Sequence, residues 1–220
     1  MSLNKLKNEL LKTYVAKQGY KEQIDSFFDA CETETQSVFL ALLIKKLDAC
    51  FERNFDFEFD EYDYEYDYLN PNVVTNSKFN YPLGGSYRCN RIRYYYNMPI
   101  NGKIIGEDED LFNDGKTCFG YREFIVTPQY YIKKEDENTY HFIDIVITSQ
   151  RNYKENNEII VDKKIAIEFD ILDSTLQNFL TTKDFRVIRY NDGAENKNKM
   201  EDVLNQIFEM LDLNKELQKR

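Results

Sequence analysis

The feature that most constrains this chain is the order of its last hundred residues. REFIVTPQYYIK (122 to 133), YHFIDIVI (140 to 147) and KKIAIEFD (163 to 170) are apolar, β-branched runs of strand length, the first interrupted at Pro128. Residues 173 to 183 then have the character of a short helix, FRVIRY (185 to 190) of a fourth strand, and Lys199 to about Leu217 of an amphipathic helix carrying Met200, Val203, Leu204, Ile207, Met210 and Leu211 on its apolar side. Strands that alternate with helices in this way must stack helices on a sheet, so the expected class is α/β.

Upstream, apolar residues recur at helical spacing from Leu3 to about Cys50, which predicts two helices parted near Gly19. The second, 33 to 49, is apolar on more than one face, as a helix buried in a core must be. Between these helices and the last hundred residues lies FDFEFDEYDYEYDY (55 to 68), aromatic and acidic in alternation with a slip at Asp60 and Glu61. Alternation predicts a strand, and the slip predicts a bulge or bend. SYRCNRIRYYY (86 to 96) carries Arg88, Arg91 and Arg93, and is expected to pair with it antiparallel so that arginines offset carboxylates across the ladder. The organisation expected is N-terminal helices at 1–50, a β-rich insertion at 51–120 and the main core at 121–220.

Charge and cysteine content exclude several function classes. With 39 acidic and 29 basic side chains the net charge is -10, so the average field repels phosphate and any nucleic-acid contact must use a local basic strip. The candidates are Arg151, Lys154, Lys163, Lys164, Arg186 and Arg189. Cys31, Cys50, Cys89 and Cys118 form no C-x-x-C pair, which argues against a zinc site or a disulfide framework. The only histidine, His141, leaves little from which to build a His-based metal site or a Ser-His-Asp triad. The N-terminal run MSLNKLKNELLK is charged and lacks the apolar stretch of a signal peptide, and no segment is long and apolar enough to cross a bilayer; a cytoplasmic protein without membrane contact is expected.

Chemistry should therefore rest on carboxylates. Strand alternation puts Phe142, Asp144 and Val146 on one side, with His141, Ile143, Ile145 and Ile147 on the other. In the next strand Ala166, Glu168 and Asp170 share a side. If the two strands form a hairpin, Asp144, Glu168 and Asp170 converge at one edge of the sheet. Carboxylates so clustered repel one another unless neutralised, and a hard divalent ion held by oxygens does this. The bland alternative is that Asp144 and Asp170 are solvated or turn-capping residues at strand ends.

Taken in order, Thr33 to Gln36 at a helix start, Pro128-Gln129, Asp144, Glu168-Phe169-Asp170 and the run from Asp173 through DFRVIRY resemble the PD-(D/E)XK nuclease superfamily. The likeness is to restriction-endonuclease-like proteins related to very-short-patch repair endonucleases, and covers residues 31 to 49 and 124 to 211. It implies a restriction-endonuclease-like core of helix, three strands, helix, strand and helix, with the β-rich segment inserted. It also implies Mg²⁺- or Mn²⁺-dependent cleavage of DNA in restriction, repair or anti-phage defence, alone, as a homodimer or in a larger protein assembly. In that picture Asp144 and Glu168 hold the ion, Asp170 assists as a ligand or orienting group, and Gln129 positions water or backbone. The chain departs from the family where its helix glutamate falls at Gln36, with Glu32 or Glu34 as stand-ins. It departs again where Asp170 replaces the E-x-K lysine and the usual following glycine and histidine are missing; Lys183 is the substitute cation, or the site is inactive. The reading from another class is an inactive interaction module or DNA mimic, in which Asp56, Glu58, Asp60, Asp63, Glu65 and Asp67 meet a basic partner.

Overall fold

The architecture comes from a computed structural model, which describes residues 5, 8, 25, 27–51, 56–64, 87–97, 120–134, 139–153, 158–169, 174–193 and 196–213. The first of the two expected N-terminal helices lies largely outside them. The described elements are, in order, α1 (Glu34–Phe51), β1 (Asp56–Tyr64), β2 (Tyr87–Asn97), β3 (Gly120–Lys134), β4 (Thr139–Tyr153), β5 (Glu158–Glu168), α2 (Ser174–Thr182), β6 (Phe185–Arg189) and α3 (Lys197–Met210). The chain is thus an α/β protein with a mixed sheet.

One six-stranded sheet takes all the strands in sequence order, β1 to β6. Successive pairs from β1 to β5 are antiparallel, whereas β6 runs parallel to β5 because α2 intervenes as the crossover. The segment expected as an insertion therefore extends the sheet at its edge through β1 and β2. Its register sets Glu58 opposite Arg93, Asp60 opposite Arg91 and Asp63 opposite Arg88, the antiparallel pairing expected from the sequence. Pairing runs unbroken from Asp56 to Tyr64, so the slip at Asp60 and Glu61 makes no bulge.

The main core lies between one face of the sheet and the helices α1 and α3. Phe39, Leu40, Leu43, Ile44 and Leu47 of α1 meet Ile145, Ile147, Ile165, Ile167 and Ile188 of the strands and Met200, Leu204, Ile207 and Phe208 of α3. Each such side chain contributes about 1.5–3 kcal/mol when fully buried. A smaller cluster of Ile143, Val146, Ala166, Leu180 and Phe185 forms on the opposite side, where α2 packs.

Two local features depart from the sequence reading. Pro128 does not interrupt β3, which runs on to Lys134. The pairing of β2 with β3 stops at Ile92↔Val126, so past that point β3 pairs only with β4 and a residue without an N–H is tolerated. Strict alternation also fails in β4. Ile145 and Ile147 enter the main core as expected, but Ile143 joins Val146 in the smaller cluster. The break falls at Asp144. The β3–β4 register passes from Pro128↔Ile145 to Tyr130↔Ile143, stepping over Gln129 and Asp144, and Gln129 has φ 49°.

Candidate functional site

Asp144 is buried at the open end of the β4–β5 hairpin. The ladder's last pair there is Ile145↔Ile167, and one further step of that register sets Asp144 opposite Glu168, which is also buried. The ladder stops at this step. Instead of a main-chain pair, Asp144 Oδ2 accepts from the backbone N–H of Phe169 at 2.8 Å.

The other oxygen of Asp144 is met from α1. Gln36, almost fully buried, donates its side-chain amide to Asp144 Oδ1 at 2.8 Å. Gln129 Nε2 makes a long contact with the same oxygen at 3.5 Å. A buried carboxylate requires such donors, because desolvation without them costs several kcal/mol.

The sequence explains why Gln36 is available. Thr33 precedes α1 and Gln36 is its third residue, the T-x-x-Q spacing of a capping box. Gln36 N donates to Thr33 Oγ1 at 3.2 Å, and Gln36 Oε1 accepts from the N–H groups of Thr33 at 3.2 Å and Glu32 at 2.6 Å. The amide oxygen thus closes the helix N-terminus while the amide nitrogen faces Asp144. Glu34 is exposed in the first turn of α1 and Glu32 donates through its backbone, so the group of α1 that meets Asp144 is the amide at Gln36.

Phe169 is held by packing. Its ring lies edge-on to Phe39 of α1 at 5.3 Å and to Tyr190 at 5.7 Å, while Tyr190 N donates to Glu168 O at 2.9 Å. The strand end that carries Glu168 and Phe169 is therefore pinned between α1 and the end of β6.

Of the five residues expected to act in catalysis, the structure brings Gln129 to Asp144 and sets Glu168 one step past the last β4–β5 pair. Asp170 lies outside the described residues. Lys183 lies at the other end of the parallel β5–β6 pair: Phe185 is opposite Lys164, whereas Glu168 is opposite Arg189. Four residues of strand separate these positions, about 13 Å at 3.3 Å per residue. Lys183 Nζ instead stands over the Phe179 ring at 5.9 Å. Among the described residues, no group of three His, Cys, Asp or Glu side chains is placed to hold a metal ion.

Most of the expected basic strip is engaged within the fold. Arg151 grips Asp162, with Nε 2.9 Å from Oδ1 and Nη2 2.6 Å from the same oxygen; Asp162 is the extra residue where the β4–β5 register shifts. Lys163 reaches Asp212 Oδ2 at 2.5 Å and the carbonyl of Met210, capping the C-terminal end of α3. Lys164 donates to Lys183 O at 3.2 Å and lies over the Phe185 ring. Arg186 and Arg189 are exposed, Arg189 donating to Gln177 Oε1, and Lys154 lies outside the described residues. His141 is half-buried opposite Ile132. Of the acidic residues proposed to meet a partner, Asp56, Glu58, Asp60 and Asp63 fall on β1, while Glu65 and Asp67 lie outside the described residues.

Sequence reading missed Gln36 as a donor to Asp144, although the T-x-x-Q spacing was the signal. It also missed Phe169, whose contribution is a backbone N–H that no side-chain pattern announces. No family model, no curated protein and no solved structure matches the chain. No helix among the described residues is long and apolar enough to cross a membrane.

Proposed function

We propose that the chain is a divalent-cation-dependent endonuclease acting on DNA, with α1, β3, β4, β5, α2, β6 and α3 as a restriction-endonuclease-like core. The observation that carries this reading is the placement of two buried carboxylates, Asp144 within β4 and Glu168 at the end of β5, one step past the last pair of their ladder. Two acids so placed repel each other and resist desolvation, and an oxygen-seeking cation relieves both costs. The donor set fits such an ion in kind. Asp144 and Glu168 both offer carboxylate oxygens, the hard donors that such an ion selects. Mg²⁺ and Mn²⁺ accept one or two carboxylates and retain waters, and Asp170 is the third oxygen donor of this proposal.

When bound, the ion would polarise a phosphoryl oxygen and make water a better nucleophile. The chain's own residues do the rest. Gln36 and the Phe169 N–H fix both oxygens of Asp144, so its orientation is set in advance. Gln129, beside Asp144 on the twisted segment of β3, presents an amide to the same space. Arg189, in register with Glu168 and exposed, offers positive charge to a phosphate at the surface.

A second reading is an inactive nuclease-like module that binds another protein, and the Gln36 contact is what favours it. Protein donors already hydrogen-bond both oxygens of the Asp144 carboxylate, so its desolvation is compensated without a cation. The β1–β2 register speaks against the DNA-mimic form of this reading, since it pairs three acidic positions of β1 with arginine positions of β2.

Cleavage of plasmid and single-stranded DNA in Mg²⁺ or Mn²⁺ by the wild type, Asp144→Ala and Glu168→Ala tests the two. Metal-dependent cutting lost in both variants supports the endonuclease. A folded wild type as silent as the folded variants, under either metal, rejects it in favour of the module.

A further inference from the structure

We infer that Gln36 is a positioning residue that clamps the Asp144 carboxylate and supplies its counter-group, so that the site is assembled in the cation-free protein. The orientation of the amide is forced. Oε1 takes the N–H groups of Glu32 and Thr33, at 2.6 and 3.2 Å, so the end turned to Asp144 is Nε2, at 2.8 Å. Rotating the amide would set oxygen against carboxylate and N–H against N–H, losing three hydrogen bonds at once.

Helix α1 controls the second oxygen as well. Phe39 lies three residues after Gln36, on the same face of the helix, and its ring packs against Phe169, whose N–H donates to Asp144 Oδ2. One turn of α1 therefore sets both arms of the carboxylate, directly through Gln36 and through packing at Phe169. Gln36, Phe39 and Asp144 are all buried, so water cannot readily replace either arm.

The test reverses donor and acceptor. Gln36→Glu keeps an acceptor for the helix N-terminal N–H groups but sets a carboxylate against Asp144. Asp144→Asn sets an amide against Gln36. In the double variant the introduced amide at position 144 donates to the introduced carboxylate at position 36, and its oxygen still accepts from Phe169 N. The measurement is urea unfolding of the full chain in EDTA, followed by circular dichroism, for the wild type, both single variants and the double. The expected result is a lower midpoint for each single variant and a midpoint for the double above both. Single losses that simply add, or a Gln36→Glu midpoint equal to that of the wild type, would overturn the clamp and leave Gln36 as a helix cap alone. If Gln36→Glu does not fold in EDTA, recovery of folded protein on adding Asp144→Asn is the same supporting result.

A parallel series in Mn²⁺ rests on the endonuclease reading, which the clamp itself does not need. Mn²⁺ should raise the midpoint of Gln36→Glu more than that of the wild type and have no such effect on the double variant. Rescue by the double variant without any Mn²⁺ response keeps the clamp and counts against the cation.

Discussion

Replacing Thr33 by Ala should lower stability by about 1 kcal/mol, within a range of about 0.5–2 kcal/mol for lost N-caps. Thr33 is exposed, so no core packing changes with it. What is lost is the acceptor for Gln36 N, a bond of 3.2 Å. The rest of the capping box survives: Gln36 Oε1 still takes the N–H groups of Glu32 and Thr33, and the Thr33 carbonyl still accepts from Ser37 N at 3.1 Å and Ser37 Oγ at 3.2 Å. The loss is therefore one cap bond, not the whole helix terminus. In a domain of this size 1 kcal/mol corresponds to a fall in melting temperature of about 2–4 °C. Urea unfolding followed by circular dichroism should show a lower midpoint with an unchanged slope. Thr33→Ser should match the wild type and Thr33→Gly should fall between Ser and Ala, since glycine at an N-cap costs only a few tenths of a kcal/mol. Equal midpoints for Ala and Ser, or Gly below Ala, would refute the assignment of Thr33 as the cap of α1.

Two further outcomes follow from other parts of the structure. Glycine ordinarily destabilises a strand or helix relative to alanine by about 0.5–1 kcal/mol, but at Gln129, with φ 49°, Gln129→Gly should be more stable than Gln129→Ala; the opposite order in urea unfolding would show that the left-handed backbone is absent. Burial pushes the Cys50 thiol above its ordinary 9.0, with Lys46 opposing, so alkylation should reach half its maximal rate above pH 9.0. Because the folded-state value is raised, the unfolded chain ionises first as pH climbs through 9.0; stability present below that pH is lost above it, and a half-maximal rate below 9.0 would refute the shift.

How much of this was legible in the sequence depends on what each residue's role needed. The order of strands and helices was readable because each of β3 to β6 carries its own apolar run, and α1 is buried along most of its length, as its multi-faced apolar pattern implied. The antiparallel pairing of β4 with β5, which leaves Asp144 and Glu168 one step past its last pair, followed from simple hairpin register. Alternation failed at the residue that matters most to the site. Ile143 and Val146 share one cluster while Ile145 lies in the other, a break that falls beside the positive φ of Gln129 on the neighbouring strand. Glutamine is not a residue that marks such a conformation, so no pattern in either strand could disclose it. The basic residues failed for another reason, since a list of charges is silent on partners: the register shift at Asp162 occupies Arg151, and the end of α3 occupies Lys163.

A carboxylate buried in a strand must take its donors from outside the ladder, and two sources lie near any open hairpin end: unpaired N–H groups of the next strand and the first turn of an adjoining helix. Asp144 uses both, through Phe169 and Gln36. T-x-x-Q read as a slot in a catalytic motif makes Gln36 a missing acid. Read as a capping box, the same four residues commit the amide oxygen to the helix and leave the nitrogen turned outward, toward whatever acceptor the sheet brings. That second reading accounts for the distances on both ends of one side chain, and it is why exchanging the groups at positions 36 and 144 is a sharper test of this site than removing either.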